Sequence, residues 1–254
     1  MPFARNALDD TKIHYEVFGD GAATLLLHHG FSRSIAEWKP DYTDVLAQHW
    51  KVIAMDARGH GQSDKPHDPA AYDMAIKVQD ITAVIDAEGA DKVHYIGYSM
   101  GGMNGFGMAR HAPDRLASLT IGGMHPYAQD PKAAQARAKS LQKGIVAHTA
   151  EMEDIVGTLP EPFRSELLAN DSDALAAVML GGLGRDLSDG ITDIAVPTLL
   201  YCGDKDVFYS GAQRAAAEIP GARFVTLEGL DHLPAVLRSD RALPPIIDFL
   251  QSVT

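Results

Sequence analysis

The run Val93-His94-Tyr95-Ile96-Gly97-Tyr98-Ser99-Met100-Gly101 combines a short apolar segment, a serine between two glycines, and a following stretch, Gly102 to Arg110, able to form a helix. Val93–Ile96 is too compact for a helix and reads as a strand buried on both faces. The next five residues fit the pattern G-x-S-x-G, and strand, tight turn and helix are the context that pattern needs. A strained turn pushes the serine hydroxyl outward. Small residues two before and two after it let strand and helix approach each other. The helix start adds backbone N–H groups and a field that favours developing negative charge. Ser99 therefore reads as a nucleophile rather than as a turn residue.

Similar compact apolar runs lie on either side: Thr24–His28, Val52–Met55, Leu116–Ile121, Thr198–Tyr201 and Phe224–Leu227. Thr11 to Phe18 alternates instead, with Ile13, Tyr15 and Val17 in phase, as a half-buried strand does. Helical patterns separate several of the runs. Met74–Glu88 places Ile76, Asp80, Ile81, Val84 and Ile85 at spacings of three and four and stops at Gly89, and Gln213–Ile219 ends at Pro220-Gly221. Strands alternating with helices predict an α/β fold, a mostly parallel sheet flanked by helices. Right-handed crossovers align the strand C-terminal ends on one edge, where ligands bind. The alternation breaks after Met124. Pro131–Val146, Glu161–Ala169 and Asp173–Leu180 read as helices with no strong strand among them. The expected organisation is an α/β core over 1–124, a helical cap insertion over 125–191, and the rest of the core over 192–254.

Composition narrows the function classes. The chain has 254 residues, 46% of them hydrophobic, and a formal net charge of −12. That length builds a core without disulfides or metals. An acidic chain with no Lys/Arg-rich run argues against nucleic acid and anionic membrane as partners. Cys202 is the single cysteine, so neither an intramolecular disulfide nor a multi-cysteine zinc site is available. H-E-x-x-H and G-x-x-x-x-G-K-[ST] are absent, and Gly101-Gly102-Met103-Asn104-Gly105 lacks the dinucleotide pattern G-x-G-x-x-G. No metal and no cofactor are expected. Met1 to Asn6 carries no apolar leader and no run approaches a membrane span, which makes the cytoplasm the expected location.

Four further segments fall at strand ends in a fixed order: His29-Gly30-Phe31, Asp56-Ala57-Arg58-Gly59-His60-Gly61-Gln62-Ser63, Gly203-Asp204-Lys205-Asp206, and Gly229-Leu230-Asp231-His232. With the serine turn, they make the sequence resemble the α/β-hydrolase family along nearly its whole length. The four resemble, in turn, the family's oxyanion-loop HG motif, its D-x-RGxGxS segment, the loop of its catalytic acid and the loop of its histidine. The order Ser, Asp, His is the family's own.

Ser99 needs a base to become nucleophilic at neutral pH, and His232 is the candidate. A carboxylate must hold the imidazole tautomer and stabilise its cation. Asp204 and Asp206 compete for that role; the family's G-x-x-D spacing favours Asp206, although Val207-Phe208-Tyr209-Ser210 lacks the proline the family often has there. The resemblance implies that the Met100 and Phe31 amides form the oxyanion hole. His125, just after the strand Leu116–Ile121, and Trp38 are the candidate substrate contacts, with core packing the plainer reading of Trp38. His29 reads as a brace for the oxyanion loop, and Cys202 as buried and inert.

A serine at the turn argues against the family's dehalogenases and epoxide hydrolases, which use aspartate. The resemblance implies a serine carboxylesterase acting on small to medium, fairly apolar esters through an acyl-enzyme. Lactonases of the enol-lactone or acyl-homoserine-lactone type and cofactor-free perhydrolases or haloperoxidases share the layout and stay open. So does a small-molecule receptor with slow turnover.

Overall fold

Alternate residues of each apolar run turn to opposite faces of one sheet, and both faces are covered. Leu26, Ile53, Tyr95, Leu119 and Leu200 enter one core cluster, while Leu25, Leu27, Val52, Ile96 and Leu199 enter the other. This two-sided burial is why the runs are apolar at nearly every position.

A computed structural model describes residues 2–254. In chain order the elements are β1 (Phe3–Arg5), β2 (Lys12–Phe18), β3 (Thr24–His28), α1 (Asp41–Leu46), β4 (Lys51–Met55), α2 (Met74–Ala87), β5 (Val93–Tyr98), α3 (Met100–His111) and β6 (Leu116–Gly122). They continue with α4 (Pro131–Leu141), α5 (Ile145–Val156), α6 (Phe163–Leu168), α7 (Ser172–Gly181), β7 (Thr198–Gly203), α8 (Tyr209–Glu218), β8 (Arg223–Leu227), α9 (His232–Leu237) and α10 (Ser239–Val253). The strands form an eight-stranded sheet in the order β1-β2-β4-β3-β5-β6-β7-β8. Pairing is antiparallel at β1/β2 and β2/β4 and parallel from β4 to β8. The C-terminal ends of β3 to β8 therefore share one edge. Residues of α2, α3 and α8 pack into one core cluster, and residues of α1, α9 and α10 into the other.

Several elements depart from the sequence expectation. The helix expected over Pro131–Val146 is two helices, because Gly144 adopts φ +101 between α4 and α5. In β2, Ile13 and Tyr15 are buried as expected, but Val17 is exposed. Sequence reading passed over α10. Its apolar positions Ala242, Leu243, Ile246, Phe249 and Leu250 recur at helical spacing, but Pro244 and Pro245 fall among them and read as a break. Between β6 and β7 the described residues form helices and no strand. Among the described residues no helix is long and apolar enough to cross a membrane.

Candidate active site

The end of β5 and the start of α3 meet at Ser99, whose backbone sits at φ 52, ψ −111. That is a sparsely populated region for a residue with a side chain, costing about 1–3 kcal/mol, and it persists because the surroundings fix it. A Cβ at Gly97 would lie 2.3 Å from the Gly101 carbonyl oxygen, and one at Gly101 only 2.0 Å from that of His28. Both flanking positions therefore have room for glycine alone. The Ser99 N–H donates to Gly122 O at 2.8 Å, tying the turn to β6.

His232 opens α9, with its N–H held by the Asp231 carboxylate at 2.7 Å. Its Nε2 lies 2.9 Å from Ser99 Oγ and its Nδ1 2.7 Å from Asp206 Oδ2. The ring leans on Phe208 and Tyr98, and the Tyr98 hydroxyl donates to the His232 carbonyl. The Asp206 side chain is 0% exposed. Its Oδ1 accepts the Phe208 N–H at 3.0 Å, and the Cys202 thiol donates to Oδ2 at 3.5 Å. Burial pushes the Cys202 thiol well above its ordinary pKa, so it stays protonated. Asp204 turns away and accepts the Gly229 N–H at 2.7 Å, bracing the loop that precedes His232.

The loop after β3 is set by His29. Burial holds this imidazole below its ordinary pKa. As the neutral ring, its Nδ1–H donates to Gly30 O at 2.7 Å and its Nε2 accepts the Ala57 N–H at 3.0 Å. The Arg33 N–H also donates to Gly30 O, at 3.2 Å. A trans peptide holds its N–H opposite its C=O, so fixing Gly30 O aims the Phe31 N–H the other way. Among the described residues, neither the Phe31 nor the Met100 N–H has an acceptor. Asp56 supports the same loop, accepting the Ile35 N–H at 2.8 Å and the Gln62 N–H at 2.9 Å. Burial pushes its carboxyl up, but His29 and these N–H groups outweigh that and hold it below the usual range.

The other expected contacts sit apart from this chain of bonds. His125 is half-buried and packs edge-on against Phe208, one ring removed from His232. Trp38 is 0% exposed and edge-on to Tyr42, a core position with no surface for a ligand.

Sequence reading missed Glu37. Its carboxylate accepts the Gly30 N–H at 3.1 Å and stands 3.4 Å from Arg33 Nε. Burial pushes its pKa up to about 7, against the opposing pull of Arg33 and the Gly30 N–H. A single acid beside a buried tryptophan has no motif, so nothing in the sequence singled it out.

Helices from between β6 and β7 lie over this edge. Phe31 packs against Ala138, Leu141, Leu175 and Ala176, and both Phe31 and Met100 pack against the cluster of Tyr72, Ala177 and Val178. Arg33 pairs with Glu166 at 2.6 Å, Asn170 Nδ2 donates to Ser32 O at 3.0 Å, and His67 meets Asp171 at 3.0 Å. The resulting constellation is a hydroxyl on a strained turn, an imidazole within reach, a buried carboxylate behind it, and two free amides alongside.

Comparison with known proteins agrees with this fold. A family model described as alpha/beta hydrolase fold matches residues 23–144. A relative from Caulobacter segnis named for carbamate hydrolysis is 37% identical over 112 residues. That match covers 43% of this chain and 42% of the relative, so it spans less than half of the curated protein. A non-heme haloperoxidase of Rhodococcus erythropolis aligns over 99% of this chain and 100% of its own length at 24% identity. The enol-lactonase of Burkholderia xenovorans LB400 superposes with a TM-score of 0.87, at 25% identity, over 98% of this chain and 100% of that one. The chain has the α/β-hydrolase fold, and in structure it is similar to an enol-lactonase and to esterases.

Proposed function

We propose that the protein is a serine hydrolase that cleaves carboxylic esters of small to medium size through an acyl-enzyme, with Ser99, His232 and Asp206 as its triad. The observation that carries this reading is the unbroken chain from Ser99 Oγ through both nitrogens of His232 to a buried Asp206 carboxylate, at 2.9 and 2.7 Å. With Nδ1–H donating to Asp206, Nε2 is left as the acceptor and takes the serine proton as Oγ attacks the carbonyl. The carbonyl π electrons move onto oxygen, which the Phe31 and Met100 N–H groups receive. Collapse of the tetrahedral intermediate breaks the ester C–O bond, and the imidazolium returns its proton to the departing alcohol. Water then repeats the sequence on the acyl-serine and releases the acid.

Apolar walls from Phe31, Met100, Tyr72 and Val178 suit acyl chains that are mostly hydrocarbon. The similarity to the enol-lactonase favours cyclic esters as a second substrate group for the same chemistry. A fluorophosphonate labelling one serine per chain, with burst and steady-state release of nitrophenol from short esters, tests the reading. Ser99→Ala is expected to abolish labelling and to lower kcat by at least about a thousandfold. Turnover close to that of the unsubstituted protein would overturn it.

A further inference from the structure

We propose that Arg137 on α4 forms an anion subsite at the outer end of this site, and that the substrate carries a carboxylate distal to its scissile carbonyl. The inference rests on the hydrolase reading and names the substrate class for that site.

The guanidinium of Arg137 lies over the ring of Phe31, 4.7 Å from its centroid. Phe31 directly follows Gly30, where an added Cβ would lie 3.6 Å from Ser99 Cβ, and Phe31 packs in the same cluster as Met100, so this ring links the cation to the neighbourhood of Ser99. Among the described residues Arg137 has no hydrogen bond and no carboxylate partner, although its side chain is accessible. The contrast with Arg33 is direct. Arg33 also covers a ring, that of Phe163 at 4.9 Å, but it is paired with Glu37 and Glu166. Arg137 is left open in a chain whose net charge is −12. Its own helix, Pro-Lys-Ala-Ala-Gln-Ala-Arg-Ala-Lys-Ser-Leu, carries only cations. Burial lowers the Arg137 pKa, and its charge is felt at His148 on α5, as is that of Glu151, which is itself paired with Lys143. A partly desolvated guanidinium without a counter-ion is a strong receptor for one.

The planar fork matches a carboxylate in two parallel hydrogen bonds. The strongly negative chain disfavours more highly charged ligands by long-range repulsion. The fitting substrates are half-esters of short dicarboxylic acids, or lactones with a carboxylate arm, whose hydrocarbon middle lies along Phe31.

The test compares p-nitrophenyl hydrogen glutarate with p-nitrophenyl pentanoate, esters of equal acyl length that differ in the distal charge. Arg137→Gln is expected to lower kcat/KM for the charged ester about 10- to 100-fold more than for the neutral one, chiefly through KM. Arg137→Lys is expected to restore part of that difference. An equal loss on both esters would mean that the guanidinium only props Phe31, and would overturn the proposal, as would no loss on either. Calorimetric titration of glutarate into Ser99→Ala protein, with and without Arg137→Gln, reads the subsite without turnover. Binding that needs Arg137 supports the subsite even if the serine reading fails, and binding indifferent to Arg137 overturns the subsite even if Ser99 proves to be the nucleophile.

Discussion

The sheet edge and the helices laid over it are held by different means. At the edge, position is fixed by the backbone: two glycines with room for nothing larger, a carbonyl gripped by His29 and Arg33, and a fully covered carboxylate behind His232. The helices between β6 and β7 are tied down by side chains, through Arg33–Glu166, His67–Asp171, Asn170 on Ser32, and small apolar clusters around Phe31. Backbone-fixed geometry changes little with any one surface residue. Side-chain ties are individually weak, and each can be exchanged alone. On the proposed function, reaction geometry sits in the backbone-fixed half and substrate choice in the adjustable one.

The largest expected effect lies at the rigid edge, where two aspartates in one loop part company. Asp206→Asn is expected to cost about 10³–10⁴ in kcat, because the amide cannot both accept from Nδ1–H and stabilise the imidazolium. Asp204→Asn is expected to stay within a few-fold. Steady-state kinetics on one ester decides, and the reverse ranking would move the acid to Asp204.

A second, smaller effect tests whether the edge carries a cost. The Glu37 pKa is raised from about 4.5 to about 7 by burial. A raised acid favours the folded state fully below its unfolded pKa, and that contribution is lost as pH rises through the folded pKa. Relative to Glu37→Gln, the unsubstituted protein is expected to lose about 3 kcal/mol of stability between pH 4.5 and 8. Urea unfolding at both pH values measures it, and parallel stabilities would show that the carboxyl is not strained.

The smallest effect belongs to the adjustable half. Asn170→Ala removes the tie to Ser32 O and is expected to cost about 1 kcal/mol. Thermal denaturation reads that loss. A loss of several kcal/mol would erase the contrast between the two regions.

The same division governs what the sequence made legible. The elbow, the His29-Gly30 turn and the acid and histidine loops were readable because backbone constraints demand particular residue types at fixed offsets. Glycines at 97 and 101 are the clearest case. Between Asp204 and Asp206 the spacing of the resembled family favoured Asp206, and in the structure Asp206 is the one beside His232. The split at Gly144 was hidden inside a stretch of good helix formers, and α10 behind its two prolines. Glu37 and Arg137 left no trace, since a lone charge acquires meaning only from what the fold brings beside it.

Cys202 is the chain's single cysteine, and it is sealed in the core as a neutral thiol. The protein is therefore expected to be silent toward maleimides without any background substitution. A cysteine introduced at Ile155, 84% exposed on α5, would be its one labelable thiol, and a fluorophore there would report how the overlying helices move against the sheet edge.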